Sequence, residues 1–215
     1  MKKIILIGDS IRMGYDKFVA MALEGQAEVY YPQENCRFTQ YALRHFQDWV
    51  KDSGFGEDTD LVHWNVGLWD VLELFDDEPI TPIDWYEQYI HRICKRVRQL
   101  CPKAKVVFAT STPIHEARYE VNRHRFFRTN ENIRAYNSAA IRAVKAHGFG
   151  VNDLFGLLEN VSDDHYSDMT HFYTEPATRL ITNQVLDVIR EQIGITGKEL
   201  DFTGLFGASN DDVGM

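Results

Sequence analysis

Five short apolar runs alternate with longer amphipathic stretches along this chain of 215 residues, and the alternation constrains its fold more than any other feature. The predicted strands are 3–7, 28–31, 61–66, 105–110 and 149–154. The predicted helices are 14–24, 40–51, 84–100, 131–147 and 175–193. Strands that alternate with helices build a parallel sheet with helices on both faces. We therefore predict an α/β fold with a doubly wound, five-stranded parallel sheet in a flavodoxin-like order, whose ligands bind near the carboxyl ends of the strands.

The alternating pattern ends near residue 195, so we predict a single domain over 1–195. The remaining segment, 196–215, is rich in glycine and aspartate after its start, and we expect it to be loosely ordered. Inside the domain, the segment 111–129 is rich in arginine, histidine and aromatic residues. Segments of this length without regular structure often serve as lids or binding loops.

Composition argues against several functional classes. Acidic residues outnumber Lys and Arg by 32 to 23, which gives a net charge of −9, whereas a nucleic-acid-binding surface needs a basic face. No stretch has the apolar length of a membrane span, and the run after the initial MKK is too short for a secretion signal. The three cysteines, Cys36, Cys94 and Cys101, fit no zinc pattern and are interpreted as reduced thiols. We expect a cytoplasmic protein that binds neither nucleic acid nor membranes.

The first predicted strand runs into Gly8-Asp9-Ser10, just before the first predicted helix. A serine at this turn presents its hydroxyl beside free backbone N–H groups of a helix N-terminus, which can stabilise an anion. Capping of the helix by Asp9 or Ser10 explains this stretch equally well when it is taken alone.

A second polar pair, Asp168 and His171, stands just before the last predicted helix. A serine nucleophile needs a base, and the base needs an acid to orient it. Taken alone, the D-x-x-H pattern is more often a polar, helix-capping loop than a site, but its combination with Gly-Asp-Ser at the first strand is far more specific. The acids and histidines of 163–171 match no metal-ligand signature, so we predict no metal site.

These two motifs together resemble those of the SGNH, or GDSL-type, serine hydrolases. The resemblance spans nearly the whole chain, from IGDS to SDMTHF and the helix that follows. It implies that Ser10 is the nucleophile, His171 the general base and Asp168 the acid that orients the base. It also implies a three-layer α/β sandwich, in agreement with the predicted layout, and an enzyme that needs no cofactor.

The resemblance further implies an oxyanion hole, and here the sequence departs from the family twice. The expected backbone donors are the N–H groups of Ser10 and of a glycine after the second strand, where this chain has Cys36. The expected side-chain donor is the asparagine of a G-x-N-D block, but the chain reads GLWD, with Trp69 in the asparagine position. Asn35 and Asn65 are both candidates for the missing amide, and the sequence does not choose between them.

Five residues are expected to line the substrate pocket: Asp9, Arg37, Trp69, Asp70 and His115. Asp9 is also expected to help hold its loop, and Trp69 to form a wall that restricts the length of the acyl chain. His115 lies in the basic segment 111–129, and an equally good interpretation is that the charges of this segment simply solvate a long loop.

The predicted function is hydrolysis of a small-molecule ester with a small acyl group, and acetylated carbohydrate is one candidate substrate. An acyltransferase would use the same three residues with a sugar hydroxyl in place of water. A third hypothesis is a ligand-binding domain that kept the fold and lost efficient chemistry. Trp69 motivates that hypothesis, whereas the intact set of Ser10, Asp168 and His171 argues against it.

Overall fold

The computed structural model describes residues 1–75, 77–120, 125–202 and 205–206. The β-strands of these residues are β1 (Lys2–Ile7), β2 (Ala27–Tyr30), β3 (Leu61–Trp64), β4 (Glu73–Leu74), β5 (Lys105–Ala109), β6 (Phe126–Phe127) and β7 (Gly150–Asn152). The α-helices are α1 (Ser10–Ala22), α2 (Thr39–Ser53), α3 (Ile83–Leu100), α4 (Glu116–Glu120), α5 (Asn130–Ala146), α6 (Leu154–Leu158) and α7 (Glu175–Ile193). Two 3₁₀ turns lie at Gly56–Asp58 and Asp163–His165.

Five of the strands form one parallel sheet in the order β2-β1-β3-β5-β7. Between the neighbours β1 and β3, Ile4 lies beside Leu61 and Ile7 beside Trp64. Helix α1 packs on α7, whereas α2 packs on α3 and α3 on α5. Two separate groups of helices thus accompany the sheet, and the predicted three-layer α/β fold with five parallel strands is confirmed.

The central strands are apolar throughout, because a parallel sheet between two helix layers is buried on both faces. All four residues of the run Ile4–Ile7 are fully buried. At the end of β3, Trp64 packs edge-on against Phe108 of β5, with 5.0 Å between the ring centroids. The five predicted strands agree with the observed ones to within two residues at either end. No α-helix of the described residues has both the length and the apolar character to cross a bilayer.

Helix α1 begins at Ser10, four residues before the start of the predicted helix 14–24. The reason is that Asp9 caps the helix, since its carboxylate accepts a hydrogen bond from the Ile11 N–H at 3.0 Å. Ser10 therefore occupies the first turn of α1, directly after the end of β1.

The segment 111–129, predicted to be irregular, contains the helix α4 and the strand β6. Strand β6 pairs antiparallel with β4, so that Glu73 lies beside Phe127. The segment is thereby joined to the chain that follows β3, while its residues 121–124 lie outside the described part.

The segment that starts at residue 196 is packed against α1 over its first part. The Lys198 N–H donates to the Ala22 carbonyl at 2.7 Å, and the buried Phe202 ring lies 5.3 Å from the ring of Phe18. The expectation of a loose tail is wrong for 196–202, because these contacts remove apolar surface from water. Residues 207–215 lie outside the described residues.

Candidate active site

The loop that carries Ser10 leaves no room for a side chain at Gly8. A Cβ atom at this position would collide with Oδ1 of Asn65. Next to Gly8, the fully buried Asp9 accepts hydrogen bonds from the Asn65 amide at 2.9 Å and from the Ile11 N–H at 3.0 Å. The direction of the Ser10 side chain is therefore set by a rigid, buried loop.

The loop after β2 is tied to the Ser10 loop and to α1 by one backbone and one side-chain hydrogen bond. Arg12, which no sequence motif pointed to, is buried against Asp16 and donates to the Glu34 carbonyl at 2.6 Å. The N–H of Cys36 donates to the carbonyl of Gly8 at 3.1 Å. Because this N–H already has an acceptor, the prediction that it lines the oxyanion hole is wrong.

The two predicted motifs meet, although Ser10 and His171 are 161 positions apart. His171 Nε2 lies 2.8 Å from Ser10 Oγ, and His171 Nδ1 lies 2.6 Å from Asp168 Oδ2. With a neutral imidazole, Nδ1–H donates to the carboxylate and Nε2 accepts from the serine hydroxyl. This geometry fits a nucleophile, a base and an acid that orients the base.

The D-x-x-H spacing makes a tight local turn at the second motif. Asp168 Oδ1 accepts hydrogen bonds from the N–H groups of Thr170 at 2.6 Å and His171 at 2.7 Å. Burial opposes the charge of Asp168, but the hydrogen bonds from His171 and Thr170 outweigh burial and lower the pKa of Asp168 to about 2. The carboxylate is therefore ionised at neutral pH and can stabilise an imidazolium at His171.

Tyr173 also belongs to the site, and no motif pointed to it. Its ring stacks on His171 with 4.8 Å between centroids, and its hydroxyl donates to the Ser10 carbonyl at 2.6 Å. Gly14 makes room for this ring, since a Cβ atom there would lie 2.7 Å from it. Two sequence signals point to this contact: the aromatic residue two positions after His171, and the second glycine of GDSIRMG.

The segment 111–129 supports the loop that carries the two triad candidates Asp168 and His171. Arg118 donates to the Asp168 carbonyl at 3.0 Å. The ring of His115 packs edge-on against Tyr166, with 5.2 Å between centroids. A place for His115 in the pocket stays a prediction. In the part of the chain that the structure describes, no group of three or more histidine, cysteine or acidic side chains is arranged to hold a metal ion.

No protein-family model matches the chain. A GDSL esterase/lipase of Oryza sativa subsp. japonica is 22% identical over 120 residues, which are 53% of this chain and 46% of that protein, so the match spans about half of the relative's length. Among solved structures, the aryl esterase of M. smegmatis has a TM-score of 0.71 and 16% identity, over 90% of this chain and 100% of that one. A carbohydrate acetylesterase family member from Sinorhizobium meliloti has a TM-score of 0.70 and 18% identity, over 91% and 100% of the two chains.

The chain has the SGNH hydrolase fold. Within this fold, the two candidate amides for the oxyanion hole differ in what they already bind. Asn65 uses its amide nitrogen to donate to Asp9, whereas Asn35 uses its carbonyl oxygen to accept from the Arg37 N–H at 2.8 Å. The Asn35 amide nitrogen has no acceptor among the described residues, while Asn65 has one of its two amide hydrogens on Asp9, and which of them serves the oxyanion hole stays a prediction.

Two other predicted pocket residues, Trp69 and Arg37, are at least partly open to solvent. Trp69 is half-buried. Arg37 is exposed, has a left-handed backbone with φ of 52°, and places its guanidinium 4.8 Å from the centre of the Tyr41 ring. Contact of either side chain with substrate stays a prediction.

Two acids predicted to line the pocket have no surface open to a substrate. Asp9 and Asp70 are fully buried, so this prediction is wrong for both. Asp70 anchors the start of α2 by accepting from the Thr39 N–H at 3.1 Å and the Thr39 hydroxyl at 2.6 Å. Burial raises the pKa of Asp70 to about 7 against these hydrogen bonds, and it also raises the pKa of Asp9. Both acids hold the loops of the SGNH fold in place.

Proposed function

We propose that the protein is a carboxylic ester hydrolase in which Ser10 is the nucleophile, His171 the general base and Asp168 the acid that orients it. The observation that carries this proposal is the continuous chain of hydrogen bonds from Ser10 Oγ through His171 to Asp168. The esterase neighbours with the same fold support the reaction class.

Acylation starts when Ser10 Oγ attacks the ester carbonyl carbon while its proton passes to His171 Nε2. The imidazolium that forms keeps its Nδ1–H on the ionised Asp168. The tetrahedral intermediate then expels the alcohol, which takes the proton from Nε2. The product of this half-reaction is an acyl ester on Ser10.

The negative oxygen of the intermediate is stabilised by donors on the serine side of the site. Ser10 is in the first turn of α1, where backbone N–H groups have no partner within the helix and the helix dipole favours negative charge. We assign the second donor to the Asn35 amide, because its nitrogen has no acceptor among the described residues, whereas the Asn65 amide donates to Asp9 and the N–H of Cys36 to Gly8. Deacylation repeats the sequence with water in place of Ser10 as the nucleophile.

The substrate class proposed is an ester with a small acyl group, and acetylated carbohydrate is the first candidate. One structural neighbour with 91% coverage of this chain is a carbohydrate acetylesterase family member. Trp69, half-buried in the GLWD block, is proposed to be the wall that limits acyl length.

Hydrolysis of an aryl acetate by wild type and three variants tests the reaction. Ser10→Ala and His171→Ala should each lower kcat by about 10⁴-fold or more while leaving the protein folded. Ser138→Ala is the matched control, because Ser138 is exposed on α5 and bonds only to the carbonyl of Arg134 among the described residues. Turnover of Ser10→Ala near the wild-type rate would disprove the triad.

A panel of esters then tests the substrate class. Acetylated sugars should be better substrates than esters of longer acids, and Trp69→Ala should reduce that preference by about tenfold, as loss of a packing wall does. Product analysis with an added sugar acceptor distinguishes hydrolysis from acyl transfer. Equal rates on all chain lengths for both proteins would rule out Trp69 as the wall.

A further inference from the structure

Arg128 is a buried cation that connects two loops of the candidate site. It follows β6, and only 7% of the residue is exposed. Its Nε donates to the carbonyl of Leu68 at 2.5 Å, within the GLWD block. Its Nη1 donates to the hydroxyl of Tyr119, which is itself 1% exposed. A buried guanidinium is costly unless its N–H groups are bonded, so these partners hold it in one place.

The second connection runs from Tyr119 to the triad loop. The Tyr119 hydroxyl lies 2.5 Å from Thr170 Oγ1. Because Tyr119 accepts from Arg128, its own proton is available to donate to Thr170. Thr170 lies between Asp168 and His171, and its N–H donates to Asp168 Oδ1 at 2.6 Å. Three side chains therefore link the loop after β3 to the carboxylate that holds His171.

The charge of Arg128 also acts on Asp9, in the loop that carries Ser10. Burial raises the pKa of Asp9, and Arg128 is among the groups that oppose this rise. The guanidinium is thus close enough to influence the buried Asp9, while its own hydrogen bonds reach Leu68 and Tyr119.

We propose that Arg128, Tyr119 and Thr170 form a relay of positioning residues that fixes the Gly67–Asp70 loop relative to Asp168 and His171. This proposal rests on the proposed esterase function for its kinetic consequences. The relay acts through Asp168 and His171, since a small displacement of a base from its nucleophile slows proton transfer far more than it weakens substrate binding.

The test compares single-atom changes in the relay with a matched change elsewhere. Tyr119→Phe removes the central hydroxyl, Thr170→Val removes the last one with little change of shape, and Thr170→Ser restores it. Tyr15→Phe is the control, because Tyr15 is also 1% exposed but its hydroxyl faces the core residue His63 at 3.4 Å. Thermal unfolding verifies that all variants are folded.

Tyr119→Phe and Thr170→Val should each lower kcat on an aryl acetate by roughly 10- to 100-fold and change KM by about twofold or less. Thr170→Ser and Tyr15→Phe should retain wild-type kcat. The double variant Tyr119→Phe/Thr170→Val should lose no more than the worse single variant, because both changes break one relay. Additive losses, a change confined to KM, or a Thr170→Ser as slow as Thr170→Val would overturn the proposal.

A spectroscopic measurement separates failure of the relay from failure of the proposed function. The His171 Nδ1 proton, held between nitrogen and carboxylate, should give a low-field proton NMR signal whether or not any ester is hydrolysed. Tyr119→Phe and Thr170→Val should shift or broaden this signal, and Thr170→Ser and Tyr15→Phe should leave it in place. An unchanged signal in all four variants would overturn the relay even in an active esterase. If Tyr119→Phe and Thr170→Val change the signal but the wild-type protein hydrolyses no ester, only the proposed function is contradicted.

Discussion

The serine and the histidine of the site are held by different kinds of structure. Ser10 follows two buried residues: Gly8, where there is no space for a side chain, and Asp9, which is fully buried. His171 stands on a surface loop, where 48% of the Asp168 side chain is exposed. The serine side depends on close packing, whereas the histidine side depends on hydrogen bonds near solvent.

The acids of the two sides show the same contrast. Beneath the serine side, burial raises the pKa of Asp70 to about 7. On the histidine side, hydrogen bonds outweigh burial and lower the pKa of Asp168 to about 2. Burial disfavours a charge and hydrogen bonding favours it, so the balance between them decides which acid is ionised. We therefore expect changes to the buried groups that support the serine loop to affect mainly stability, and changes to the hydrogen bonds around Asp168 and His171 to affect mainly activity.

The largest expected effect is a pH dependence of stability that Asp70→Asn removes. The folded protein keeps the proton of Asp70 up to about pH 7, whereas the unfolded chain releases it near the ordinary pKa of 3.8. The wild-type free energy of unfolding should therefore fall, through this group, as the pH rises from about 4 to about 7, by up to about 4 kcal/mol, and this fall should end above that range. Chemical denaturation of both proteins from pH 4 to 8 measures the difference.

Asp168→Asn is the comparison from the other side of the site. Because the pKa of Asp168 is lowered, its contribution to stability is complete above its ordinary pKa of 3.8 and is lost only as the pH falls toward about 2. In a His171→Ala background, which removes the titrating partner of Asp168, the stability difference between Asp168→Asn and its parent should therefore be constant from pH 5 to 8. The contrast between the two sides would be contradicted if the stability difference changed with pH in that range for Asp168→Asn, or if it did not change with pH for Asp70→Asn.

The next effect concerns the amide that stabilises the oxyanion. Asn35→Ala should lower kcat by roughly 10²- to 10³-fold on every ester, as loss of an oxyanion donor does, with little change of melting temperature. Asn65→Ala should instead destabilise the protein, because it removes the amide that donates to the buried Asp9. Steady-state kinetics and thermal unfolding of both variants test this assignment. Full activity of Asn35→Ala would show that a group other than Asn35 donates to the oxyanion.

The smallest effect compares one residue from each side. Gly8→Ala should cost about 1–3 kcal/mol of stability, since the added methyl group collides with Asn65. Arg118→Met removes the hydrogen bond to the Asp168 carbonyl and should cost about 1 kcal/mol or less of stability, while lowering kcat by roughly tenfold. Denaturant titrations and aryl acetate kinetics on both variants provide the numbers. A greater loss of stability in Arg118→Met than in Gly8→Ala would reverse the assignment of the two sides.

The sequence by itself determined the features that depend on near neighbours. Fully buried strands are read from continuous apolar runs and amphipathic helices from their period, so the order of strands and helices follows from the chain. The turn at Asp168 is also local, because its carboxylate binds N–H groups two and three residues ahead. The same is true of Asp9, whose capping of α1 joins residues two positions apart.

Only the tertiary structure decided which polar groups remain unbonded and accessible, and so free to take part in catalysis. Whether the Cys36 N–H is free depends on the distant carbonyl of Gly8, and whether Asp70 meets solvent depends on its packing against α2. Arg128 bonds to Leu68, which lies 60 positions earlier in the chain, and to Tyr119, which lies 9 positions earlier. No spacing in the sequence signals such a link. The physical reason is that a hydrogen-bonding group takes whichever partner the fold brings within about 3 Å, and that choice is made by packing between elements rather than by the residues beside it.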